Sequence, residues 1–307
     1  MGALAFVFPG QGSQYVGMAR DIFEADAVSR ALMEEADRIL GVPLTRICFE
    51  GPEDELRQTK NTQPAIFLHS VVVFRKMSGA RPAMVAGHSL GEYPALVAAG
   101  ALTFEGALRL VRLRGELMQR AGEEQKGTMA AVVGLSPDVV EEICREAADA
   151  GIVQPANFNS PGQIVISGSL EGVRKAMEHA RGRGAKLVKE LVVSGAFHSP
   201  LMQGAREGLR RKLDGTDIRD AQIPVYANVT AEPVTRAADI REALYRQLTS
   251  PVRWEQSVRS MIRDGADSFV EIGPGKVLQG LIRRTEPSVT LGGVDTWRDV
   301  GERVERM

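Results

Sequence analysis

Cysteine is scarce in these 307 residues, with only Cys48 and Cys144 present. The two lie far apart, without a CxxC pair or a His/Cys cluster, which excludes a disulfide scaffold and a structural zinc site. No excess of either charge exists: 38 Lys and Arg stand against 39 Asp and Glu, a net charge of -1. A footprint for nucleic acid is therefore missing. Long hydrophobic runs are missing too. The most apolar stretch, residues 65–74, is interrupted by His69 and Ser70 and is too short to span a bilayer. The first residues carry no basic region, and Phe6 stands where a myristoylation signal needs Ser or Thr, so neither a secretion signal nor a lipid anchor is expected. What remains is ordinary globular composition, 44% hydrophobic and 25% charged, in a chain long enough for one large or two modest domains. The expectation is a cytoplasmic protein that engages neither membrane nor nucleic acid.

A short apolar run over 3–8, ended by Pro9-Gly10, reads as a buried strand. Helical periodicity follows over 28–40. A further helix starts at Pro64, placed in its first turn, and its continuation over 65–74 is apolar nearly all round, as a deeply buried helix would be. Residues 83–87 read as a second buried strand, followed by helices over 91–99 and 104–121. Such alternation predicts a parallel α/β sheet covered on both faces. The middle of the chain differs: strand 129–133, helix 137–150, strands 153–157 and 163–167 joined through Asn159-Ser160-Pro161-Gly162, helix 170–181 and strand 186–193. This β-α-β-β-α-β order is that of a ferredoxin-like unit. After it come helix 200–213, strand 225–228, helices 240–248 and 252–264, and strand 268–272.

The sharpest local signal is Gly87-His88-Ser89-Leu90-Gly91, a GxSxG between a predicted strand and a predicted helix. In a nucleophile elbow, glycines flank the serine because the turn leaves no room for Cβ atoms, and the next N–H points at a developing oxyanion. Chance supplies the bare pattern in a fair minority of chains, so its strand–turn–helix context carries the argument. A serine nucleophile needs a base, and four histidines are available. His69 lies in the buried helix and reads as a core residue. His179 falls off the apolar stripe of its helix. His88 adjoins Ser89, but neighbouring side chains diverge at such a turn. His198, in the loop after the last strand of the central unit, is left as the base by elimination.

Arg114 is the third clue. It falls in the centre of the stripe formed by Ala107, Leu110, Val111, Leu117 and Met118, away from the polar face with Arg109, Arg112, Glu116 and Arg120. A guanidinium facing a core is costly unless an anion meets it. Two readings stay open: an internal salt bridge with an Asp or Glu, or a receptor for a substrate carboxylate. The loop Phe8 to Gln14 is glycine-rich but has Tyr15 where a dinucleotide loop needs glycine, and no Walker pattern follows. Such a loop can instead bring a backbone N–H to a bound oxygen.

Taken in order, FPGQGSQ near the start, GHSLGE at 87–92, Arg114-Gly115, NFNSPGQ at 157–163, FHSPLM at 197–202, Gln247-Leu248 and EIGPG at 271–275 form one pattern. The chain thereby resembles the malonyl-CoA:acyl carrier protein transacylases and the related acyltransferase domains of polyketide synthases. The resemblance implies an α/β-hydrolase-like large subdomain with a parallel sheet (1–125 and 198–307) and an inserted ferredoxin-like small subdomain (126–197). It implies Ser89 as the nucleophile that becomes an acyl ester and His198 as the base, oriented by the backbone carbonyl of Gln247 in place of a triad aspartate. The N–H groups of Gln11 and Leu90 would form the oxyanion hole. Arg114 would pair with the malonyl carboxylate, and Met118, Asn157 and Phe197 would line the acyl site. Malonyl-CoA and a holo acyl carrier protein would be substrate and partner, in fatty-acid or polyketide synthesis, with no cofactor and a monomeric enzyme. One departure stands out: malonyl-type modular domains frequently have His-Ala-Phe-His, and here the stretch is Gly195-Ala196-Phe197-His198.

Two rivals follow from the same residues. A serine thioesterase or esterase would use the same elbow, but would have no use for a cation on an apolar stripe and would usually carry an acid between Ser and His in chain order. A catalytically silent module that binds carrier proteins would not need Ser89.

Overall fold

In the computed structural model the described residues are 2–77 and 79–305; the extreme ends of the expected 1–125 and 198–307 segments lie outside them. The strands are β1 (Ala3–Phe8), β2 (Met84–Gly87), β3 (Gly127–Val133), β4 (Val153–Ser160), β5 (Gln163–Ser169), β6 (Leu187–Glu190), β7 (Val225–Tyr226), β8 (Pro233–Val234), β9 (Ala266–Ile272) and β10 (Thr290–Val294). They form two sheets. One has the order β10-β9-β1-β2-β7-β8, parallel except for β8 at its edge. The other is antiparallel, β4-β5-β3-β6, the strand order of a ferredoxin-like unit.

The apolar runs in β1 and β2 are buried on both faces, as a parallel sheet between helical layers requires. Helix Thr59–Lys76 crosses one face and is buried from Asn61 to Val73. It starts five residues before the expected Pro64, which sits inside the helix. The missing proline N–H frees the carbonyl of Lys60, and Arg112 Nη1 of the neighbouring helix Phe104–Glu124 donates to it at 2.9 Å. Gly115 allows this close packing: a Cβ there would lie 2.8 Å from the Thr59 carbonyl oxygen.

Other boundaries shift for local reasons. The strand expected over 186–193 stops at Glu190, and residues 191–193 leave the sheet to line a cavity. The strand over 268–272 is not the last, because β10, with two glycines and no alternating pattern, pairs beside it. Helices Arg20–Ala25, Leu44–Glu50, Glu53–Arg57 and Trp297–Glu305 were not expected, being short or terminal. The antiparallel sheet joins the rest of the chain at its edge strand β4, where Phe158 N donates to Val252 O (2.9 Å) and Val252 N to Ala156 O (2.8 Å), Val252 itself lying outside both sheets. No helix among the described residues is long and apolar enough to cross a membrane.

Candidate active site

The chain leaves β2 through the sharp turn that the glycines of GHSLG permit. A Cβ on Gly87 would lie 1.9 Å from the Gly91 carbonyl carbon, and one on Gly91 would lie 2.0 Å from the Phe8 carbonyl oxygen. Ser89 between them adopts φ 52°, in the left-handed region that a serine rarely occupies. Asn228, just after β7, clamps the turn from outside: Ser89 N donates to its Oδ1 at 2.6 Å, and its Nδ2 donates to the Gly87 carbonyl at 2.6 Å.

His198 meets Ser89 across the fold, Nε2 to Oγ 2.8 Å. Its Nδ1 faces two backbone carbonyls, Gln247 at 2.9 Å and Ser250 at 3.2 Å. Both are acceptors, so Nδ1 carries the proton and the Nε2 lone pair faces the hydroxyl. His198 is itself held at φ 57°, and Gln154 Nε2 of β4 donates to its carbonyl at 2.8 Å. Burial, with Arg114 nearby, pushes its imidazole down to about 3, so it is a neutral acceptor across the working pH range. The pair can pass a proton from hydroxyl to imidazole, and no carboxylate orients it.

The other histidines separate cleanly. His88 turns away to Asn159 Oδ1 at 2.9 Å and lies against Trp254; burial lowers its pKa. His69 is buried, with Nε2 2.7 Å from the Asp295 carbonyl. His179 lies near the surface beside Glu146.

Arg114 is fully buried. Its Nη1 donates to Gln63 Oε1 at 2.7 Å, and its Nη2 to Gln247 Oε1 at 2.9 Å and to Ser89 Oγ at 3.1 Å. Among the described residues it forms no ion pair with a carboxylate, so of the two readings of this arginine the internal salt bridge is absent. Burial lowers its pKa, and its Nε has no hydrogen-bond partner. Glu92 is the buried acid of this neighbourhood, pushed up to about 7 by burial.

These groups open into a cavity of about 730 Å³ whose lining includes Gln11, Leu90, Met118, Asn157 and Phe197 as well as Ser89, Arg114 and His198. All the residues singled out from the sequence converge here, Gln247 through its hydrogen bonds. The Gly195 departure has a local cause: its backbone packs on Gly122 of helix Phe104–Glu124, and a Cβ on Gly195 would lie 2.9 Å from the Gly122 Cα. Sequence reading missed Gln63, Glu92, Gln154 and Asn228. Glu92 and Asn228 stood beside recognised features, directly after the elbow and at the end of a predicted strand; Gln63 and Gln154 carried no such signal. No grouping of three or more His, Cys, Asp or Glu able to hold a metal occurs among the described residues.

Residues 5–299 match a family model described as an acyl transferase domain. The chain is 48% identical over 287 residues to the malonyl CoA-acyl carrier protein transacylase of Bacillus subtilis strain 168, covering 92% of this chain and 90% of that protein. It superposes on the structure of the malonyl CoA-acyl carrier protein transacylase from Coxiella burnetii with a TM-score of 0.96 at 39% identity, covering 99% and 98% of the two chains. A malonyl-transacylase solved in complex with its type II PKS acyl-carrier protein gives a TM-score of 0.96 at 41% identity, covering 99% and 100%.

Proposed function

The chain belongs to the acyl transferase domain family, and on that premise we propose that it moves a malonyl group from malonyl-CoA to the phosphopantetheine thiol of an acyl carrier protein. His198 Nε2 takes the Ser89 proton as Oγ attacks the thioester carbonyl. The tetrahedral oxyanion is held by the N–H groups of Gln11 and Leu90, and on collapse the CoA thiolate leaves with the proton from His198. An acyl ester on Ser89 remains. In the second half the carrier thiol gives its proton to His198 and attacks the ester, and Ser89 recovers its hydrogen. One thioester is exchanged for another of the same chemistry, so the transfer is nearly thermoneutral and the enzyme must chiefly keep water from the ester.

The observation that carries the malonyl reading is Arg114, buried, without a carboxylate partner among the described residues and 3.1 Å from the nucleophile. A malonyl carboxylate gives it a charge-assisted bidentate partner, and an acetyl group cannot. Met118, Asn157 and Phe197 bound the acyl space. Residues 126–197 act as the inserted small subdomain, with Gln154 reaching back to the His198 carbonyl. Similar proteins named for an acyl carrier protein support one as the partner; a monomeric, cytoplasmic enzyme that needs no cofactor completes the reading.

The test is to mix the protein with malonyl-CoA alone and record intact mass and released CoA. One malonyl adduct per chain, mapped to Ser89 and discharged by holo carrier protein, is the expected outcome. Continuous CoA release without an adduct would make water the acceptor and the protein a thioesterase.

A further inference from the structure

Glu92 opens the helix after the elbow, is 2% exposed and takes no part in the proton transfers above. One of its oxygens, Oε2, accepts two hydrogen bonds, from Asn228 N at 3.0 Å and from Gln247 Nε2 at 2.9 Å. The second hydrogen of that Gln247 amide goes to the Ser89 carbonyl at 3.0 Å. With both amide hydrogens so engaged, Gln247 Oε1 faces the other way and accepts from Arg114 Nη2 at 2.9 Å. A guanidinium only donates. An amide released from Glu92 could turn over and present its NH2 to Arg114, leaving donor against donor.

We propose that Glu92 is a positioning residue for the acyl carboxylate: it pins the Gln247 amide, and the pinned amide holds Arg114 where the dicarboxylic acyl group must meet it. This rests on Arg114 being the carboxylate receptor. His198 is held apart from this chain of bonds, on the main-chain carbonyl of Gln247 and not its side chain, so the base keeps its place when the amide turns, and Ser89 meets the chain through its own carbonyl and the Arg114 guanidinium. The consequence therefore falls on the choice of acyl group.

Reach, not charge, is what this role requires. Both bonds fall on one oxygen, so Glu92→Gln can present a neutral oxygen in the same place. Glu92→Asp keeps the charge but withdraws the oxygen by roughly 1.5 Å, one methylene. The experiment measures kcat/KM for malonyl-CoA and for acetyl-CoA in wild type, E92Q and E92D, with the rate of Ser89 labelling by a neutral fluorophosphonate as a separate readout of the Ser–His pair. E92Q is expected to keep the malonyl-over-acetyl ratio. E92D is expected to lower that ratio about tenfold, the loss of one charge-assisted hydrogen bond from Arg114 to the malonyl carboxylate, at a near-normal labelling rate. Loss of the ratio in E92Q with retention in E92D would overturn the proposal in favour of a purely electrostatic role. Equal loss of malonyl transfer, acetyl transfer and labelling in E92D would overturn it in favour of a structural one. A wild type that forms no malonyl ester would instead defeat the functional reading, and the proposal with it.

Discussion

Arg114 is stabilised at rest by two neutral amides and a hydroxyl, none of which can match a carboxylate. Replacing it should therefore act on one class of substrate. Arg114→Ala is expected to cut malonyl loading by about a hundredfold or more, the scale of a lost buried charge-assisted pair, while acetyl loading survives or improves. Equal loss of both would sink the carboxylate-receptor assignment, and acyl-CoA competition assays measure it directly. His198 supplies a second prediction at this scale. Its folded pKa, about 3, lies below the ordinary 6.5, so the native state refuses a proton that the unfolded chain accepts. Stability should rise with pH between those values, by up to about 1.4 kcal/mol per unit from this group. His198→Gln should flatten that slope in denaturant titrations. For the same reason, phosphonylation of Ser89 should show no acid limb near pH 6.5; a limb there would mean that the imidazole is solvated.

Helix Phe104–Glu124 shows what spacing alone can and cannot convey. Its apolar stripe and the anomalous arginine on it are readable from 3.6-residue periodicity, because side-chain direction follows from position in a helix. The roles of the two glycines in its later turns are not. Gly115 and Gly122 would ordinarily each be about 1 kcal/mol worse than alanine, yet here each admits a neighbouring backbone. A Cβ on Gly122 would lie 2.0 Å from the Ser194 carbonyl oxygen. Gly122→Ala should thus destabilise by about 2 kcal/mol or more, the reverse of the helix-propensity expectation, and should slow acylation by displacing the segment that leads to His198. Thermal melts and the adduct assay measure the two effects; a rise in melting temperature would show that the contact is slack. The helix around Pro64 gives the complementary case, in which a proline reads as a start and a side chain from another helix makes it tolerable inside.

At the scale of the whole molecule, the antiparallel sheet is tied into the site of the parallel one. Gln154 of β4 holds the carbonyls of His198 and Thr249, and Ala156 and Phe158 pair with Val252 on the segment after Gln247. Unfolding in urea should accordingly give one transition, with Trp254 fluorescence and far-ultraviolet circular dichroism coinciding. Two separated transitions would show that the sheets are energetically independent. Most of the architecture was legible in the chain: the alternating buried strands and helices, the β-α-β-β-α-β unit and the elbow all rest on local patterns, set by the burial of one face and by turns that only glycine fits. Short or terminal pieces, β8 and β10 above all, carried too little periodicity to be read. Ser89, His198 and Arg114 could be picked out because each breaks a local rule, as a strained turn, a loop histidine without a surface role and a charge on an apolar face. Their union was decided only by the tertiary structure. The 2.8 Å bond between residues 109 positions apart, the two carbonyls in place of an acid, and the Glu92–Gln247–Arg114 chain all depend on where separate elements come to rest, and hydrogen-bond geometry across a fold leaves no mark on sequence spacing.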